Sequence, residues 1–96
     1  MNEQEFFDSL KLNQCPDQLN PYLQALWYDA TGDWDTAHEI VQQMDDASAA
    51  RIHAYLHRKE GDEWNSRYWH RRAGTSYPEN MGLEKEWEYL VNMLVE

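Results

Sequence analysis

Cysteine is nearly absent. Cys15 is the single one among 96 residues, which excludes an intrachain disulfide framework and a multi-cysteine zinc site. Basic residues are also scarce, eight Lys and Arg against eighteen Asp and Glu, for a net charge of −10. Such a chain lacks the positive field that a phosphate backbone requires, so no nucleic-acid partner is expected. No stretch approaches the ~18 apolar residues of a membrane span. The opening Met1-Asn2-Glu3-Gln4-Glu5 has neither the basic start nor the apolar run of a signal peptide. The expectation is a cytoplasmic protein with no membrane partner. β-Branched residues are few, eight Val, Ile and Thr in all, and no segment alternates apolar and polar residues long enough to make a strand.

What is present favours helix. Ala, Leu, Met, Glu, Gln, Lys and Arg supply 45 of the 96 residues, and these lose little freedom in a helix. Aromatic residues at 14% are too many for a solvated, disordered chain. The length fits one domain, residues 1–96. Gly and Pro fall between periodic segments and divide them into six helices. The first spans Glu3 to Leu12, with Phe6, Phe7 and Leu10 apolar and a capping box between Asn2 and Glu5. The second has Asn20 as cap, Pro21 in its first turn, and Leu23, Leu26, Trp27 and Ala30 on one side. Asp33 caps a third helix, Trp34 to Met44, and Asp46 or Ser48 opens a fourth bearing Ala49, Ile52, Tyr55 and Leu56. Asp62 caps a fifth that runs to Ala73. The sixth, Leu83 to Val95, carries Leu83, Trp87, Leu90, Val91 and Leu94 on one stripe, with Glu84, Glu86 and Glu88 mostly off it.

Comparing the chain with itself exposes a repeat. Ala25, Tyr28, Gly32-Asp33 and Ala37 align, 29 residues later, with Ala54, His57, Gly61-Asp62 and Ser66. The spacing has a physical reading. Two antiparallel helices come close only where side chains are small, Gly takes the left-handed conformation that ends the first helix, and Asp caps the next.

This pattern resembles the tetratricopeptide repeat and its Sel-type relatives. The first copy carries Ala25, Tyr28, Gly32-Asp33-Trp34 and Ala37. The second closes on Tyr68-Trp69-His70-Arg71-Arg72-Ala73, similar to the aromatic-basic-Ala ending of those repeats. The likeness covers about residues 20 to 74. It departs from the family in its period, 29 residues against about 34, and in having no Pro at the end of either copy. It implies an all-α, right-handed array of antiparallel helical hairpins. Residues 20–46 and 47–74 form the two repeats, and helices in 1–19 and 80–96 cap the ends. It also implies a scaffold for proteins or peptides and no chemistry of its own.

Charge is uneven along the chain. Residues 1–48 hold Lys11 against ten acids, while 51–72 hold Arg51, Arg58, Lys59, Arg67, Arg71 and Arg72. Solvated helix faces, or pairing with the acidic half, account for such a run. In the resembled family the first helix of each hairpin lines the concave groove. Carried onto this chain, that places Tyr22, Leu26 and Asp29 beside Arg51, Tyr55, Arg58 and Lys59, with Arg71 and Arg72 as a rim. Guanidinium groups grip carboxylates bidentately, so an acidic or C-terminal peptide is the expected ligand.

The histidines offer a second reading. His53 and His57 lie four apart on one helix face, a spacing that chelates a divalent metal. The repeat register brings His70 toward them, with His38 nearby. The Glu that follows the first His of metalloprotease helices is missing, and a hydrogen-bonded cluster of partly buried imidazoles is the plainer interpretation. Other chemistry finds no support. There is no phosphate loop or nucleophile elbow, Cys15 sits beside Pro16 and Asp17 with no base in view, and acid pairs such as Asp33 and Asp35 suit helix starts. Trp27, Trp64 and Trp87 fit the core, and Trp34 and Trp69 fit exposed contacts. The expectation is a non-enzymatic interaction module without a cofactor, monomeric or weakly dimeric, that binds a protein or acidic peptide. The alternative is a metal or small-ligand protein centred on His53, His57 and His70.

Overall fold

Local chemistry sets each helix boundary in the computed structural model, which describes residues 1–95. The described residues form six helices and no strand: α1 Glu3–Leu12, α2 Pro21–Ala30, α3 Trp34–Gln42, α4 Ala47–Lys59, α5 Glu63–Ala73 and α6 Leu83–Leu94. Asn2 and Glu5 form the capping box of α1. Asn20, Asp33, Asp46 and Asp62 each accept the backbone N–H three residues on, so four otherwise orphaned donors are satisfied. Helix α3 stops at Gln42, two residues short of the expected Met44, where Gln43 and Met44 close on the Val41 carbonyl.

The repeat is visible in its turns. Asp33 N–H donates to the Tyr28 carbonyl at 2.8 Å and Asp62 N–H to the His57 carbonyl at 2.9 Å. Gly32 and Gly61 take φ of 90° and 91°, a region that costs a residue with a Cβ roughly 1–2 kcal/mol. The small positions Ala25, Ala37, Ala54 and Ser66 are all fully buried, and Ser66 Oγ donates across to the Ala54 carbonyl at 2.7 Å. Thus α2 lies along α3 and α4 along α5, while α3 and α2 both touch α4.

One core runs through these pairs. Leu23, Leu26, Val41, Ile52 and Leu56 have essentially no exposure, each such burial favouring the fold by about 1.5–3 kcal/mol. Helix α6 closes it by packing on α2 and α4. Leu90 and Val91 are buried, Trp87 Nε1 donates to the Leu26 carbonyl at 3.1 Å, and the Trp87 ring meets Phe6 and Phe7 of α1 at 5.9 Å each. Glu86 departs from expectation. It is buried at 2% exposure, because it lies three and four residues from Leu83 and Leu90, on the stripe itself. No helix among the described residues is long and apolar enough to cross a membrane.

Candidate functional site

Helix α4 carries the chemistry on two faces. Positions 51, 55, 58 and 59 turn toward α2 and α6, and positions 53 and 57 turn toward α3 and α5. The first face holds the residues expected to line a groove. Leu26 and Tyr55 are in the core, at 0% and 2% exposure, so they support the face from beneath and present no surface to a ligand. Tyr22 donates to Asp46 at 2.5 Å. Arg58 donates to Glu86 at 2.6 Å and also to the Met81 carbonyl. Burial pushes the Glu86 carboxyl up, and Arg58, then Arg51, pull it back. The Arg51 guanidinium lies 4.9 Å from the Tyr89 ring centre and 3.6 Å from the Met93 sulfur, while its buried Nε has no hydrogen-bond partner among the described residues.

Lys59 ends this face. Its Nζ donates to Asp29 at 3.0 Å and its side chain stays 39% exposed. Tyr55 donates to the other oxygen of Asp29 at 3.1 Å, and burial, then the Asp29 charge, push the phenol up. A cleft of about 400 Å³ opens beside this trio, walled by Leu10, Ala30, Leu83 and Trp87 and edged by Glu84 and Glu88. At the far rim Arg72 reaches Asp45 at 3.4 Å, and Arg71 is exposed. Pairing inside the chain therefore accounts for Arg58, Lys59 and Arg72, and for Arg67, which bonds Glu63 and Glu79.

The second face gathers imidazoles, with one change from the sequence reading. The converging set is His38, His53 and His57, a ring nitrogen of each lying within 4.8 Å of the others. His70 stands apart. Its Nδ1 pairs with Thr75 Oγ1 at 2.8 Å, and its ring lies 6.0 Å from Tyr77. Burial, then Arg51, Arg58 and Arg67, hold its pKa below the ordinary range. The place beside His53 goes to Trp69 of α5, stacked at 3.9 Å.

His38 of α3 supplies the third ring. Its Nε2 lies 3.0 Å from His53 Nε2, so one imidazole donates and the other accepts. Trp34, four residues earlier, stacks on His38 at 4.8 Å and donates its Nε1–H to the Leu56 carbonyl at 2.8 Å. His57 Nδ1 lies 2.6 Å from Glu60 Oε2. Burial, then His38 and His57, push the His53 pKa down to about 3. Burial, then His57, lower that of His38, opposed by Glu60, Asp35 and Glu39. At neutral pH these two imidazoles are free bases.

Two tryptophans exchange roles. Trp64, expected in the core, is 72% exposed, because the buried positions of α5 are Ser66 and His70. Trp34 and Trp69, expected outside, wall the histidines. The signal for His38 was present: it follows Ala37, which must face α2, and shares a helix side with Trp34. Cys15 is no activated thiol, since burial and Asp17 raise its pKa against a Tyr28 hydrogen bond. No family model matches the chain, and no curated protein or solved structure matches it.

Proposed function

We propose that the protein is a non-enzymatic interaction module, a tetratricopeptide-like hairpin array that takes a protein or peptide in the cleft at the Lys59 end of α4. The cleft between Leu10, Leu83, Trp87 and Lys59 is the observation that carries this reading. In the resembled repeats the first helix of each hairpin lines the ligand groove, and Asp29, Tyr55 and Lys59 of α2 and α4 line this cleft; its walls are largely apolar with few convergent polar groups, as binding clefts usually are. In this proposal an apolar side chain of the partner enters beside Leu83 and Trp87, and its carboxylate meets the exposed Lys59 ammonium. Helix α6 already occupies the Arg51 and Arg58 part of the face, so Lys59, which pairs with Asp29 on one side and stays 39% exposed, is the cation of this face that meets a partner.

Cross-linking capture with purified protein tests it, comparing wild type with Lys59→Glu and Leu83→Asp. Leu83→Asp is at an exposed position and breaks no ion pair, so circular dichroism should stay unchanged; Lys59→Glu strands Asp29, so its capture is compared at a temperature where circular dichroism shows it folded. Species captured by wild type should fall at least about tenfold with either variant, the effect of losing ~1.4 kcal/mol of binding. Equal capture by all three proteins would overturn the reading.

A further inference from the structure

We propose that His38, His53 and His57 bind one divalent transition-metal ion of the zinc class, with Glu60 as the carboxylate that orients His57. This is independent of the peptide-binding reading and uses the opposite face of α4.

Several observations converge on it. The three imidazoles come from two rigid helices, His38 from α3 and His53 and His57 one turn apart on α4. Zn–N bonds of about 2.0–2.1 Å in a tetrahedral site place ligand nitrogens about 3.3 Å apart. The 3.0 Å between His38 Nε2 and His53 Nε2 is close to that spacing, so an ion replaces the hydrogen bond between them with little movement. The third nitrogen, within 4.8 Å, closes by a side-chain adjustment.

Glu60 supports the same assignment. A carboxylate 2.6 Å from His57 Nδ1 takes that N–H and leaves Nε2 as the imidazole lone pair, as metal-ligating histidines require. Ring orientation is held elsewhere by stacking, Trp34 on His38 and Trp69 on His53. Acidic side chains at Asp35, Glu39 and Glu60 act on His38 and favour a cation. A small opening between Met44, Ala50, Trp69 and Arg72 reaches His53. Three protein nitrogens leave a fourth tetrahedral position for water or a partner's side chain.

The test uses full-length, tag-free protein stripped with chelator and titrated with Co²⁺, whose d–d absorption reports a tetrahedral site, with Zn²⁺ as competitor. One equivalent should saturate the spectrum, and Zn²⁺ should displace it and raise Tm. His38→Gln, at a half-buried position, should abolish the signal while the far-ultraviolet spectrum stays helical. His70→Gln should leave it intact, and Glu60→Gln should weaken binding 10–100-fold. Absence of saturable binding overturns the proposal, leaving the histidines as packing. So does binding that survives His38→Gln but not Glu60→Gln, which assigns the ion instead to His57, Glu60 and Asp62.

Discussion

The two faces of α4 differ in the kind of partner their polar groups find. On the side of α2 and α6, Arg58 and Lys59 each hold a nearly buried carboxylate, Glu86 at 3% and Asp29 at 1% side-chain exposure. On the side of α3 and α5, His38 and His53 share one hydrogen bond and are uncharged at neutral pH, while His57 pairs with Glu60. The first arrangement ties α6 to the hairpins through Arg58 and leaves that guanidinium little capacity for a partner. The second keeps ring nitrogens in a partly buried setting held by stacking on Trp34 and Trp69. One helix thus builds an ionic clasp and an imidazole cluster from residues two positions apart.

Breaking the clasp should produce the largest effect. Arg58→Met leaves Glu86 buried without its partner, and removing one member of a buried pair costs about 3–5 kcal/mol. Urea unfolding followed by tryptophan fluorescence should show that loss. The double variant Arg58→Met with Glu86→Leu should recover most of it, because no charge is then stranded. A loss below ~1 kcal/mol for the single variant would erase the distinction between the faces.

Acid probes the other face, with a smaller effect. In the unfolded chain His53 takes a proton near pH 6.5, while in the native state burial, His38 from α3 and His57 hold it to about 3. Between those values the unfolded state binds the extra proton, so stability must fall as pH falls, by up to ~1.4 kcal/mol per unit. His38 and His70 are shifted in the same direction. From pH 7 to pH 5 the His53 contribution alone is about 2 kcal/mol, a Tm decrease on the order of 8–15 °C. A Tm that holds level or rises over that interval would show that the histidines are not buried as neutral bases.

How legible all this was depended on the range of the interaction. Caps, glycine turns and the 29-residue repeat are local, and the six helices follow from them with only small errors such as the end of α3. Which side chains meet across helices is not local. His38 was readable as a neighbour, yet choosing it over His70 required knowing how far α5 rotates about its axis, and that rotation is set by Ser66 closing on Ala54. The same rotation carries Trp64 out and Trp69 in. Glu86 was misjudged for a different reason. It was set mostly off the apolar stripe, although its spacing from Leu83 and Leu90 puts it there, and a partner elsewhere in the chain, Arg58, is what lets the carboxylate be buried.

Arg51 gives the finest test of the comparison, because it shares the clasp's face with no ion-pair partner among the described residues. Its Nε is buried and unbonded, a cost of about 1–3 kcal/mol for a stranded donor. Against this stand a weak sulfur contact and a cation–π contact with half-exposed Tyr89, together about 1 kcal/mol. Arg51→Met keeps the aliphatic stem and removes both contributions, so unfolding free energy at pH 7 should change by less than ~1 kcal/mol. The two arginines would then differ severalfold on one helix face, and a loss as large as that of Arg58→Met would mean the face acts as a single charge network. The substitution also reaches His70, on which Arg51 is the strongest charge lowering the pKa. With that charge gone His70 takes its proton more readily in the native state, and the decline in stability toward pH 5 should become shallower than in wild type.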